Sequence, residues 1–403
     1  MLTAKVDNQG NEEAQLLGFK NVVRLGYVSL FTDVSTEMIL GVLPIFIVMD
    51  LGATAGILGI IEGSAEAANY LFRVFAGILT DKIGKRKPLV LLGYGLSSIA
   101  KPLFAVSGTW GQAFAVRVID RAGKGTRTSP RDALISDSIP KSQAGKGFGL
   151  HRSLDQVGAV LGPLLAFVAI PFISIRGVFW LSFIPAAAAL IILLFFVKDT
   201  RGSIQHRSVF ENARSVLNRE FVLLLVALGI FAVGAYDFSF ILLNAGALGV
   251  LANDIPLVYA TLNLATVILG VPAGLLADRM GKMPVLCLGY VIFLGASAAG
   301  FLIGGYWVYA FLIAFLFGSY LSISDTVQRA LIPDFAKPEL KGTAYALYYS
   351  MIGVCTFAAN AIFGALWTNV GRFAAFEFSV VTSFIGITAL VVFIATRRRS
   401  KPR

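Results

Sequence analysis

Gly77-Ile78-Leu79-Thr80-Asp81-Lys82-Ile83-Gly84-Lys85 recurs 197 residues later as Gly274-Leu275-Leu276-Ala277-Asp278-Arg279-Met280-Gly281-Lys282. Two more segments keep nearly the same offset. Gly93-Tyr94 returns as Gly289-Tyr290 after a one-residue deletion, and Ala133-Leu134-Ile135-Ser136-Asp137 returns as Ala330-Leu331-Ile332-Pro333-Asp334. Agreement at three places on nearly one spacing marks a duplicated chain. Parallel repeats of this size pack as two similar helical bundles, with a binding site between them near the bilayer midplane.

The composition agrees with a membrane setting. Hydrophobic residues are 57% of the 403, charged residues 14%, and the mean hydropathy is +0.77. A soluble domain carries about 25% charged residues. A span needs about 20 mostly apolar residues, and twelve runs qualify: 21–49, 55–80, 88–107, 110–137, 146–170, 176–197, 220–248, 255–278, 283–303, 306–334, 342–368 and 373–396. They are rich in Leu, Ala, Phe and Gly and lack strand alternation, so all read as helices. The expected fold is an all-α membrane protein with twelve transmembrane helices in two pseudo-symmetric six-helix bundles. The divisions are an N-terminal tail 1–20, a first bundle 21–197, a linker 198–219, a second bundle 220–396 and a basic tail 397–403.

The formal net charge of +11 is explained by the positive-inside rule rather than by nucleic acid. Lys82, Lys85, Arg86, Lys87, Lys198, Arg201, Arg279, Lys282, Lys337 and Arg397 fall in one set of connections, and Arg176 and Arg372 in the other. Both termini are therefore expected in the cytoplasm. Trp110, Trp307 and Trp367 fall at the opposite ends of their helices, as an aromatic belt does. Acidic residues and no apolar core at the start argue against a cleaved leader. Two cysteines and two histidines imply neither a disulfide framework nor a His/Cys metal site. No nucleotide loop or nucleophile–base set suggests an enzyme.

On the motif Gly77-x-Leu79-x-Asp81-Lys82-x-Gly84-Lys85-Arg86-Lys87 and its reduced second copy, the chain resembles a transporter of the major facilitator superfamily over essentially its whole length. In that family the loop is a cytoplasmic latch against the inner end of helix 4. The resemblance therefore assigns Gly77, Asp81, Gly84, Lys85 and Arg86 to gating, with Asp137 as partner. Asp81 is expected at a helix N-terminus, where a negative charge is favoured. Arg117, Gly123 and Gly125 match the family's helix 4 pattern, whose arginine is often linked to proton coupling. The added Asp120, Arg121 and Lys124 resemble a bacterial and archaeal branch. Gly149, Gly158, Gly162 and Pro163 resemble the glycine–proline packing motif of antiporters, without its closing glycine pair.

Charged residues inside spans normally face a partner or a wet cavity. Asp33 and Glu37 share one face of helix 1; Glu62, Glu66 and Arg73 share one face of helix 2. Asp33, Glu37, Glu66, Arg117, Asp120, Arg121, Lys124, Arg152 and Asp155 are the candidates for proton coupling and for lining the substrate cavity. Glu62 lies nearest the outer end of its helix and is expected to be solvated. Arg127 and Arg131 are expected at the cytoplasmic mouth. The second bundle offers only Asp237, Asp325 and Arg329. The expected activity is alternating-access export of a small organic solute across the inner membrane against inward proton flow. A proton-coupled uptake symporter and a lipid flippase of the same fold are the alternatives. The expected partners are a small-molecule substrate and membrane lipids. The chain is expected to be a monomer without metal or cofactor, the proton gradient supplying the coupling ion.

Overall fold

The computed structural model describes residues 2–200, 213–302, 305–337 and 340–400. The central part of the expected linker, 201–212, and the end of the tail, 401–403, lie outside the described residues. Twelve helical passes are present among the described residues. The first six are α1 (Leu2–Leu40, continued by a π-turn over Phe46–Asp50), α2 (Ala55–Ile83), α3 (Lys87–Val106), α4 (Trp110–Ser138), α5 (144–173) and α6 (175–195). The second six are α7 (Arg219–Gly234, resumed over Phe238–Ala247), α8 (Ile255–Met280), α9 (Lys282–Leu302), α10 (Val308–Leu331), α11 (Lys341–Asn369) and α12 (Arg372–Ser400). The first helix begins inside the segment expected as a tail.

Among the described residues, nine segments are long and apolar enough to cross a bilayer by length and composition alone. One of them, Ala144–Phe195, is 52 residues long and holds two passes, because the backbone leaves helical geometry at Ser174 with φ 61° and ψ 172°. The remaining two passes are α2 and α4, the helices that carry the buried charges.

Within each bundle the same pairs pack together: α2 and α3 against α4 in the first, α8 and α9 against α10 in the second. The bundles meet along α2 with α11 and along α5 with α8, contacts that the repeat relates. At the Trp-bearing end, the α2–α11 contact is a glycine seam. A Cβ on Gly59 would collide with the carbonyl oxygen of Asn360, and one on Gly364 would lie 2.5 Å from that of Ala55. Such close backbone approach is open only to glycine. That end is sealed. At the end bearing the basic loops, the side chains of Arg152, Asp325 and Arg329 are about half exposed.

The basic loops differ from expectation in one respect. Asp81 is not at a helix N-terminus. α2 continues to Ile83, and Gly84, left-handed at φ 69°, caps it, so Asp81 lies in the last turn. The N-terminus of α3 instead holds Asp199, whose carboxylate accepts from the backbone N–H groups of Arg86 at 3.2 Å and Lys87 at 2.9 Å.

Candidate functional site

A cavity of about 320 Å³ lies between the bundles. The first bundle contributes Glu37, Glu66, Tyr70, Arg73, Arg121 and Lys124 to its wall; the second contributes Asp237, Tyr259, Asp325 and Arg329 among others. Both signs of charge are present in near balance, interleaved with tyrosines.

The charges on α4 point inward because its spacing places Arg117, Asp120, Arg121 and Lys124 toward α2, α3 and the cavity. Arg117 is completely buried. Its Nη2 meets Glu62 Oε2 at 2.6 Å, its Nε lies 3.1 and 3.2 Å from the two Glu62 oxygens, and its Nη1 reaches Asp120 at 3.4 Å. Glu62 is 1% exposed. The expectation of a solvated Glu62 is corrected: α4 presents an arginine at its depth, and burial of that cation demands an anion. Asp120 also accepts from the Ser97 hydroxyl. Lys101 is equally buried and donates to the Thr32 carbonyl at 3.3 Å.

One turn further along, Arg121 meets Glu66 at 3.1 Å, and Asn69 donates to the other Glu66 oxygen at 3.1 Å. Unlike Arg117 and Glu62, this pair lies on the cavity wall, with Lys124 beside it. Glu37 turns the other way. It accepts from the Tyr259 hydroxyl at 2.6 Å and from Asn263 Nδ2 at 3.2 Å, so a carboxylate of the first bundle is held by α8 of the second. Asp33, one turn away, faces α5: it packs against Gly158, and Ser29, one turn before it, donates to Asp155 at 2.6 Å. Arg152 meets Asp155 at 3.3 Å and approaches Asp325 of α10 at 4.0 Å. The expected residues thus fall into three clusters: Arg117–Asp120 inside the first bundle, Arg121–Glu66 with Lys124 on the cavity wall, and Asp33–Asp155–Arg152 between α1 and α5.

Gly158 and Gly162 set the α1–α5 distance. A Cβ on Gly158 would lie 3.0 Å from Asp33 Cβ, and one on Gly162 would lie 2.7 Å from Glu37 Cβ. Pro163 follows, buried within α5. Gly149 does not share this role, since a Cβ there would meet nothing within 4 Å; it lines a lateral opening between α5 and α8. Gly77 is in ordinary contact with Ser129. At the basic end, Arg86 donates to the Thr80 carbonyl at 2.7 Å and pairs with Asp81 and with Asp137, each at 3.2 Å. Lys85 is exposed. In the second copy, Lys282 pairs with Asp334 at 2.6 Å. Arg127 is not at the mouth: it is buried, its guanidinium 4.4 Å from the centre of the Tyr94 ring. Arg131 bonds Asp132 at 2.9 Å.

Sequence reasoning missed Glu62, Tyr259 and Asn263. The repeat held the signal. Its 197-residue offset carries Glu62 to Tyr259 and Glu66 to Asn263.

Two bundles, a shared charged cavity sealed at one end, and paired basic loops are the features of a membrane carrier. The Major Facilitator Superfamily profile matches residues 25–250 and 222–403, and the chain belongs to that superfamily. It is 30% identical over 400 residues to an uncharacterised MFS-type transporter of Methanocaldococcus jannaschii, covering 96% of this chain and 99% of that protein. The quinolone resistance protein NorA of Staphylococcus aureus is 31% identical over 126 residues, 31% of this chain and 32% of NorA. Among solved structures, a peptide transporter POT bound to sulfate aligns with a TM-score of 0.78 at 14% identity, covering 94% of each chain. A nucleoside transporter NupG variant gives 0.76 at 12% identity, covering 93% of this chain and 99% of NupG. Likeness at that identity concerns the fold.

Proposed function

We propose that the chain exports a small organic solute across the cytoplasmic membrane in exchange for inward-moving protons, as a monomer with both termini in the cytoplasm. The observation that carries this reading is the Arg121–Glu66 pair on the wall of the inter-bundle cavity. A solute bearing either charge competes for one member of the pair and frees the other. The tyrosines and the near balance of charge suit an amphipathic or zwitterionic solute. The partial match to NorA, a resistance protein by name, favours export.

The test is proton exchange on adding candidate amphipathic solutes to the purified protein in detergent. Antiport requires proton release on solute binding, and Glu66→Gln, which breaks the pair the solute competes for, should weaken that binding and the release with it. Proton uptake would indicate symport, and solute binding without proton exchange would refute proton coupling. One observation favours a second reading. A lateral opening of about 780 Å³ lies between α5, α8 and α10, with Arg152, Gln156 and Ser322 at polar positions and Val157, Leu161 and Val271 at apolar ones. A lipid-like amphiphile entering from the bilayer would use it, and a substrate that stays in detergent micelles or liposomes in a partition assay would support that reading.

A further inference from the structure

We propose that Asp33 on α1 and Asp155 on α5 together hold one exchangeable proton, and that Arg152 transmits its presence to the second bundle. The inference rests on the antiport reading and assigns its coupling site to a place away from the solute cavity wall.

The two carboxyl groups are brought to the same α1–α5 contact: Asp155 is bonded by Ser29, one turn from Asp33, and Gly158, one turn from Asp155, packs against Asp33. Two ionised carboxylates held side by side away from water repel each other and cannot bond one another, so the pair favours one shared proton. The contact is imposed by the backbone: glycine at 158 brings α5 so close that an added Cβ would lie 2.6 Å from the Leu30 carbonyl oxygen. The rest of the hydrogen-bonding is asymmetric. The Ser29 hydroxyl donates to Asp155 Oδ1 at 2.6 Å and Arg152 to Oδ2 at 3.3 Å. Asp155 is therefore held as the acceptor, and Asp33 carries the proton.

A separate observation points to a proton route. His151 precedes Asp155 by one helical turn and is 4% exposed, and its Nε2 has no hydrogen-bond partner among the described residues. A buried polar atom without a partner is costly, and an imidazole there can relay a proton toward the basic end. The groups within electrostatic reach of the pair are Glu37 on α1, Lys101 on α3, Lys124 and Arg131 on α4, and His151 and Arg152 on α5. The surround offers few free oxygens and so disfavours a metal cation, which would want about six oxygen ligands; its cations set how readily the proton leaves.

The fold does not require these acids. At the 197-residue offset Asp33 falls on Ile230 and Asp155 on Ile352, so the second copy carries no acid at these sequence positions. Arg152 lies between Asp155 and Asp325 of α10, and Asp325 is held by Arg329 at 2.7 Å. Loss of the shared proton leaves a second negative charge beside Arg152 and draws it toward α5. That loosens its contact with the second bundle and keeps the basic end open for solute.

The experiment is infrared difference spectroscopy of the reconstituted protein as buffer is exchanged from acid to alkaline. A carboxylic-acid carbonyl band should disappear on alkalinisation. Asp33→Asn and Asp155→Asn should each remove the whole band, since one proton is shared, while Glu66→Gln should leave it. Arg152→Gln, which is not part of the pair, should move the midpoint to higher pH by removing a cation that favours ionisation. Thermal unfolding of each variant shows that it is folded. A band that survives in either Asn variant overturns the proposal. So does a band lost at constant pH when sodium replaces potassium, which would mark a sodium site. Solute-induced proton release that persists in Asp33→Asn leaves antiport standing and removes this site; the band without any solute-linked proton release does the reverse.

Discussion

Glu62→Ala isolates the largest electrostatic commitment in the first bundle. Arg117 is fully buried, and Glu62 supplies its shortest contact, 2.6 Å, and both oxygens facing Nε. Without Glu62 the guanidinium keeps only Asp120, at 3.4 Å. Removing one member of a buried pair leaves an uncompensated charge and costs about 3–5 kcal/mol. Glu62→Gln keeps an acceptor and should cost less, about 1.5–3 kcal/mol, the worth of hydrogen bonds to a charged group. The double variant Arg117→Met with Glu62→Leu removes both charges and should be more stable than Glu62→Ala alone, because the buried guanidinium is gone and Asp120, which loses only its 3.4 Å contact, keeps the Ser97 hydroxyl. Equilibrium unfolding in mixed micelles with increasing dodecyl sulfate measures all three. An exposed carboxylate would give at most about 1 kcal/mol. A Glu62→Ala loss in that range, or a double variant no more stable than the single, would refute the reasoning.

The two basic loops should respond unequally in the same assay. Arg86 is buried with several partners, so Arg86→Ala should cost about 1.5–3 kcal/mol. Lys282→Ala, with its side chain 31% exposed and that of Asp334 46% exposed, should cost no more than about 1 kcal/mol; equal losses would contradict the assignment. Gly59→Val should wedge α2 from Asn360 and open the sealed end. In a background lacking Cys287 and Cys355, a cysteine replacing the cavity residue Thr356 should then react faster with an impermeant reagent added from the Trp-bearing side; an unchanged rate would show that the seam is not the seal.

The helices were legible because each is an uninterrupted apolar run between charged or glycine-bearing turns. The run expected at 110–137 is the helix Trp110–Ser138, and that at 342–368 is Lys341–Asn369. What depended on one residue of helix end was not legible. Asp81 lies in the last turn of α2 because Gly84, not an earlier residue, takes the left-handed cap. A carboxylate is unfavourable there, and Arg86 offsets it from beyond the turn. Partners across helices were equally hidden. Position along α2 suggested water for Glu62, but solvation is decided by what α4 presents at that depth, and a single helix pattern does not contain that.

The duplication shows which side chains the architecture needs and which it merely tolerates. The 197-residue offset carries Arg117 to Ala314, Asp120 to Phe317, Arg121 to Gly318 and Lys124 to Leu321. At the core of the second bundle stands Tyr236, with Phe363 at 4.3 Å and Phe293, Phe317 and Phe376 all within 5.5 Å between ring centres. One copy of the fold therefore packs on rings and the other on ion pairs. Buried ion pairs stabilise less than apolar packing of similar volume, and the second bundle demonstrates that apolar packing fits this scaffold. Charges kept in the first bundle against that cost are consistent with a task other than holding it together. Exchanging partners as protons and solute come and go is such a task, and the Glu37 contact to Tyr259 and Asn263, with Arg152 near Asp325, are the places where an exchange in one bundle can be felt by the other.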